Sequence, residues 1–139
     1  MRLRGFNFKK INIEKFSDDF KDIKIDTKID ISDLNIVESE FFDEKEKFIG
    51  VKFSFIVEYS PKIATIELKG FLLLGLDKEK AEQILKDWND KVISEDFRTT
   101  LFNVILRKSN IKALELEEEL GLPLHIPLPN LKKEQKREE

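Results

Sequence analysis

The chain has no cysteine, which excludes disulfides, thiolate catalysis and cysteine-ligated metals. Its single histidine, His125, excludes any metal site built on two histidines. The five glycines are scattered, and neither GxGxxG nor GxxxxGKS/T occurs, so no phosphate-cradling loop can be assigned. Basic residues are not in excess: 25 Lys plus Arg stand against 28 Asp plus Glu, a net charge of −3. That balance argues against a nucleic-acid partner, which would meet a basic face. No stretch approaches the roughly 18 apolar residues of a membrane helix, and the opening MRLRGFNFKK has no apolar signal core. A soluble, cytoplasmic chain without membrane insertion is therefore expected.

What is present is charge and phenylalanine. Charged residues make up 38% of the 139 positions and hydrophobic ones 40%, enough for one domain with a core. Twenty Lys and 17 Glu beside two Gln and one Met form a thermophile-like composition, which a Lys-rich coding bias would also produce. Twelve Phe accompany one Tyr and one Trp. Phe supplies apolar contact without a hydrogen bond to satisfy, which suits contacts of low specificity.

The pattern along the chain is strands first, then helices. Residues 6–16 alternate (Phe6, Phe8, Ile11, Ile13, Phe16), but the phase slips at Lys9-Lys10, the mark of a bulge or an edge strand. Ile23, Ile25, Thr27, Ile29 and Ile31 share one face and Lys24, Asp26, Lys28 and Asp30 the other, predicting a half-buried antiparallel strand. Residues 33–47 keep neither period and read as a long crossover or a short strand plus turn. Strand period returns over 48–59, Ser60-Pro61-Lys62 makes a turn, and 63–76 forms the hairpin partner, with Ile63 facing out. Phe71 to Leu74 is apolar on both faces, which points to a subunit interface. Asp77 and Ser94 are candidate helix caps. Ala81, Ile84, Leu85, Trp88 and Val92 repeat at helical spacing, as do Phe97, Leu101, Val104 and Ile105, with Phe102 and Leu106 widening that second stripe. The pattern runs on to Leu120 and stops at Gly121, a C-terminal cap glycine, with one helix or two over 95–120 left open. Leu122 to Leu131 carries three prolines, and every second residue from Leu122 to Leu128 is apolar, an extended segment lying on an apolar surface. The domain thus covers 1–131, and 132–139, KKEQKREE, is a charged flexible tail.

Little in this inventory can do covalent chemistry, and no enzyme activity or cofactor is expected. His125 lies between Leu124 and Ile126 with no Asp, Ser or Cys beside it in sequence, so a structural role is favoured over a catalytic one. Asp26/Asp30 and Glu58/Glu67 could pair as acid and base, but they alternate with lysines as a solvated sheet face does. Glu115 and Glu117–Glu119 lack the glycine-containing alternation of a calcium loop and read as a charged helix end. Phe53, Phe55, Phe71 and Phe97 read as core. Phe41 and Phe42 are adjacent in an acidic stretch, and one of the two rings must point away from any common partner.

The order of these elements resembles the SecB-like chaperones. Phe8-Lys9-Lys10-Ile11-Asn12-Ile13-Glu14 is similar to that family's opening strand, Ile23–Ile31 to its second, 32–47 to its crossover, and 48–76 to its hairpin with Gly70-Phe71-Leu72. Gly121-Leu122-Pro123-Leu124-His125-Ile126-Pro127-Leu128-Pro129-Asn130-Leu131 resembles its proline-containing apolar connector, the most specific of these matches. The chain departs from the family in the length of Ser94–Gly121 and in a short tail where a second amphipathic helix would stand. Its sheet face also mixes charges where bacterial members are acidic, so docking to an export motor is not carried over.

The resemblance implies an α+β fold: a four-stranded antiparallel sheet with a long crossover loop, followed by one or two long helices packed on it. It implies an ATP-independent holdase for unfolded polypeptides or preproteins, keeping them translocation-competent, assembled as a homotetramer, a dimer of dimers. Client-binding residues would be Leu34, Ile36, Val37, Phe41, Phe42, Leu122, Leu124, Ile126 and Leu128. Phe71, Leu72, Leu73, Leu74, Phe102, Val104 and Ile105 would hold subunits together. The alternative is an adaptor that binds one partner, such as an antitoxin-like protein, through the same apolar patch.

Overall fold

Alternation of apolar and charged residues dictates strands half covered on one side. The computed structural model describes residues 1–38 and 46–129 and forms four of them: β1 (Arg2–Lys15), β2 (Lys24–Val37), β3 (Glu46–Ser60) and β4 (Ala64–Asp77). They make one antiparallel sheet in the order β1-β4-β3-β2. Helices α1 (Lys78–Asn89) and α2 (Glu95–Leu120) follow. The fold class is the α+β architecture expected, and 95–120 is one unbroken helix.

Bulges explain where the sequence pattern faltered. In β1 the register shifts between Phe8 and Lys10, so Phe8 stands opposite Gly70 but Ile11, not Lys10, stands opposite Leu68. In β2 it shifts between Ile31 and Asp33. The extra residue moves the apolar set from odd to even positions, so Leu34 pairs with Val51 and Ile36 with Ile49 on the same face as Ile31. Residues 33–37 therefore continue β2 and are not a crossover. The chain instead crosses from one sheet edge to the other through 16–23, where the amides of Phe16 and Ser17 donate to the carbonyl of Ile63 beside the β3–β4 turn. That contact and its packing bury Ile63, which was expected to face out.

The covered face carries a core in two parts. Around the first, Leu34, Ile49, Val51, Phe53, Leu72 and Leu74 meet Ala81 of α1 and Phe97, Leu101 and Ile105 of α2. Around the second, Phe55, Val57, Tyr59, Ile66 and Leu68 meet Ala113 of α2 and Leu122. Where the first part is widest the Phe53 ring lies over Gly70. A Cβ there would come within 2.5 Å of that ring and 2.7 Å of the Asn7 carbonyl, so glycine is required by close approach. Ser94 caps α2, its hydroxyl accepting from the Phe97 amide at 3.3 Å, whereas the Asp77 side chain makes no such bond to α1.

The opposite face of the sheet is half charged and half apolar. Cross-strand pairs Lys10–Glu67 (2.7 Å) and Lys28–Glu58 (2.7 Å) occupy one half. Phe71, Leu73 and Val37 occupy the other, crowding over Gly50 and Gly5, which leave room for them.

Candidate functional site

Two places in the molecule combine unusual side chains with unusual surroundings. The first is a cleft of about 620 Å³ where the start of α2 and the end of α1 meet the β2 edge. Ile31, Trp88, Ile93 and Phe102 supply its apolar walls, and Asp30, Lys91 and Arg98 its charges. The Arg98 guanidinium lies 5.3 Å from the centre of the Phe102 ring, a cation–π contact at the cleft wall. An apolar cleft of this size with a few polar groups at its rim is suited to hold a side chain or a short extended segment of another molecule.

The second lies at the other end of α2, where the chain leaves the helix. Gly121 adopts the left-handed conformation (φ 63°), the Leu122 amide donates to the Glu117 carbonyl and the Gly121 amide to that of Glu118. This pair of bonds is the Schellman stop that a glycine permits. Lys15 donates to the Leu120 carbonyl at 2.7 Å, satisfying another of the helix's last acceptors. The connector 122–129 then turns back over the sheet, and the Tyr59 hydroxyl donates to the Pro123 carbonyl at 2.7 Å.

Beneath that connector lies a buried polar cluster. The Glu117 side chain is 0% exposed and that of His125 1%. His125 Nδ1 is 2.7 Å from Glu117 Oε2 and 3.0 Å from Oε1, and its backbone amide donates to Oε1 at 3.1 Å. Its Nε2 is 2.8 Å from Asn110 Oδ1, and the ring meets Phe55 edge-on. Burial, followed by the adjoining Glu117 carboxylate, pushes the Tyr59 hydroxyl far above its ordinary range, so it stays neutral and acts as a donor. A buried charge is tolerated only when paired and hydrogen-bonded, and these contacts meet that condition for the carboxylate.

The sequence reading located His125 but not its partners. Glu117 stands eight positions before it, across the helix end and Gly121, and was grouped with a charged helix end. A signal was available: Phe97, Leu101, Ile105, Ser109, Ala113 and Glu117 recur every four residues and are the buried positions of α2. A carboxylate on that row cannot be solvated. Trp88 was placed only on a helical stripe, and nothing in the sequence pairs it with Arg98 and Asp30.

No protein-family model matches the chain, and no curated protein does. Among solved structures the fold is similar to that of the Mycobacterium tuberculosis Rv1957 SecB-like chaperone in complex with a ChAD peptide from the Rv1956 HigA1 antitoxin. The two chains are 12% identical, with a TM-score of 0.53 over 96% of this chain and 92% of that one. The fold is SecB-like. At this identity the likeness concerns architecture, and it leaves the assignment of individual residues to the geometry of this chain.

Within the SecB-like fold the expected site residues divide sharply. Leu34 is 2% exposed and Leu122 6%, so both are core residues and neither offers a surface to a client. Ile36, Val37, Leu124 and Ile126 are half-buried and Leu128 is 52% exposed. Phe41 and Phe42 lie outside the described residues, as does the tail 132–139. Leu34 belongs to the first part of the core and Leu122 to the second, so the β2 set and the connector set are not brought together within one chain. The interface set is divided by strand alternation. Leu72 and Leu74 point into the chain's own core, as does Ile105, while Phe71 and Leu73 take the opposite face. Val104 is half-buried and Phe102 lines the cleft. Among the described residues no helix is long and apolar enough to cross a membrane.

Proposed function

We propose that this chain is an ATP-independent holdase that binds unfolded or preprotein segments through apolar surface. The observation that carries the reading is the SecB-like fold, shared with a chaperone solved with a peptide bound. Binding would use the cleft formed by Trp88 and Phe102, together with Ile36, Val37, Phe41, Phe42, Leu124, Ile126 and Leu128. Apolar burial at roughly 25 cal/mol per Å² is non-directional, so such surfaces accept many sequences. Several weak contacts on one assembly add through effective concentration. The assembly would be a homotetramer, a dimer of dimers, with Phe71, Leu73 and Val104 between subunits, working in the cytoplasm.

The test is solution mass by light scattering, with and without an equimolar unfolded, non-aggregating client. A mass near four times 16.4 kDa that gains the client's mass supports the proposal. A monomer indifferent to the client overturns it. Phe41→Ser with Phe42→Ser, and separately Trp88→Ser, should weaken suppression of client aggregation while the fold survives.

A second reading follows from the peptide in the structural neighbour, which comes from a single antitoxin. This chain would then be an adaptor for one partner. It would show saturable binding to that partner and leave denatured model clients to aggregate.

A further inference from the structure

The cleft at the β2 edge carries charges that the described residues leave unpaired. Lys91, in the turn between the helices, and Arg98, near the start of α2, stand on its helical wall, and Asp30 stands on the β2 wall. Among the described residues none of the three has an ion-pair partner, although charges are paired elsewhere, as in Lys10–Glu67 and Lys28–Glu58. Lys91 also stands where its backbone is strained. The Lys91 amide donates to the Trp88 carbonyl at 2.9 Å and the Val92 amide to that of Asp87 at 2.7 Å, with φ 61° at Lys91. The same kind of stop ends α2 on Gly121, the residue that this conformation suits. A lysine in that position costs stability and gains no ion pair among the described residues; what its side chain adds is an ammonium at the cleft. The space between the walls is apolar, bounded by Ile31, Trp88 and Phe102. Among the described residues β2 is bonded to β3 alone, so its outward amides and carbonyls beside the cleft can pair with an extended chain.

We propose that this cleft selects, among unfolded segments, those that carry an acidic residue next to a bulky apolar one. The segment lies extended along the β2 edge, its apolar side chain enters between Trp88 and Phe102, and its carboxylate meets Lys91 and Arg98 on the helical wall. Arg98 serves both parts, since its guanidinium lies over the Phe102 ring and keeps N–H groups for a carboxylate. A basic neighbour would meet the same two cations and be repelled, and only Asp30 on the opposite wall would offer it a partner. Both cations are exposed, so the attraction acts through water and weakens as salt screens it. The selection rests on the reading of this chain as a polypeptide-binding chaperone and adds to it a preference by charge.

Trp88 is the single tryptophan of the chain, so its fluorescence reports on the cleft directly. The probes are three synthetic peptides without tryptophan, identical except that the residues flanking a central Phe are Glu, Gln or Lys. In low salt the Glu peptide should shift the Trp88 emission at about one-tenth of the concentration the Lys peptide needs, with the Gln peptide between them, and about 0.5 M salt should close the gap. Lys91→Gly suits the left-handed backbone, so it should keep or raise the urea midpoint while cutting the preference about threefold. Arg98→Gln should cut it by a similar factor, and Arg98→Lys should keep most of it. Lys69→Gln, the same loss of charge on the open face of the sheet, should leave the preference as it was. Equal titrations for the three peptides, or a preference untouched by Lys91→Gly with Arg98→Gln, overturns the selection and leaves the chaperone reading standing. If no peptide moves Trp88 the selection is overturned too, and suppression of client aggregation then decides whether the chaperone reading falls with it. If Lys91→Gly with Arg98→Gln alters the solution mass of the protein alone, the cleft seats a second copy of the chain and the proposal is overturned.

Discussion

The two ends of α2 rest on the same sheet by different physics. Its first half packs Phe97, Leu101 and Ile105 against Phe53, Leu72 and Leu74, an apolar contact beside an open cleft. Its second half approaches through small residues, Ser109 and Ala113, and ends on the buried Glu117–His125 pair under the connector. Apolar contact has no preferred direction, so the first end can yield gradually and accept other apolar groups in the cleft. A buried hydrogen-bonded pair is directional: complete, it fixes one geometry, and with one partner gone it leaves a buried polar group unsatisfied. One helix therefore joins a permissive end to an end of fixed geometry.

That contrast can be broken at either end. Glu117→Ala strands His125 in the core and should cost about 4 kcal/mol of stability in urea unfolding. A cost near that of an exposed helix position would mean the pair is not buried in solution. At the other end Leu101→Ala should cost about 3 kcal/mol, and its value should not change with pH, because no titrating group faces the cavity. Ser94→Ala removes the hydroxyl that accepts from the Phe97 amide and should cost about 1 kcal/mol, fraying the cleft end of α2 first.

The smallest effect lies on the open face of the sheet. The Lys10 ammonium, hydrogen-bonded to Glu67, holds that carboxyl below its usual range. A depressed folded value means the stabilisation is present above the ordinary carboxylate range and fades as pH falls through the lowered one. Because the pair is exposed, Glu67→Gln should shift acid unfolding only slightly, and added salt should erase even that difference. A large, salt-insensitive shift in the acid limb would show that this face is covered in solution, as an assembly would require.

Strand identity was legible in the residues because alternation is a local property: Ile23 to Ile31 and Phe48 to Tyr59 announce a covered face whatever they pack against. The slip at Lys9-Lys10 announced a bulge at a sheet edge, and Gly121 announced the end of α2. Cysteine and histidine counts excluded whole classes of chemistry without any structure. The bulge after Ile31 was hidden because one inserted residue inverts the phase, so Leu34 and Ile36 looked aperiodic when they were continuing the same face. The direction of Leu72 and Leu74 was likewise settled only by pairing, since a doubly apolar run is symmetric until its neighbours are known. Glu117 and His125 needed the tertiary structure most. Eight residues apart, they meet because Gly121 reverses the chain and the sheet supplies Tyr59 and Phe55 to enclose them. Local sequence determined which residues form strands and helices; only packing decided which charge is removed from water, because burial is a property of what surrounds a residue.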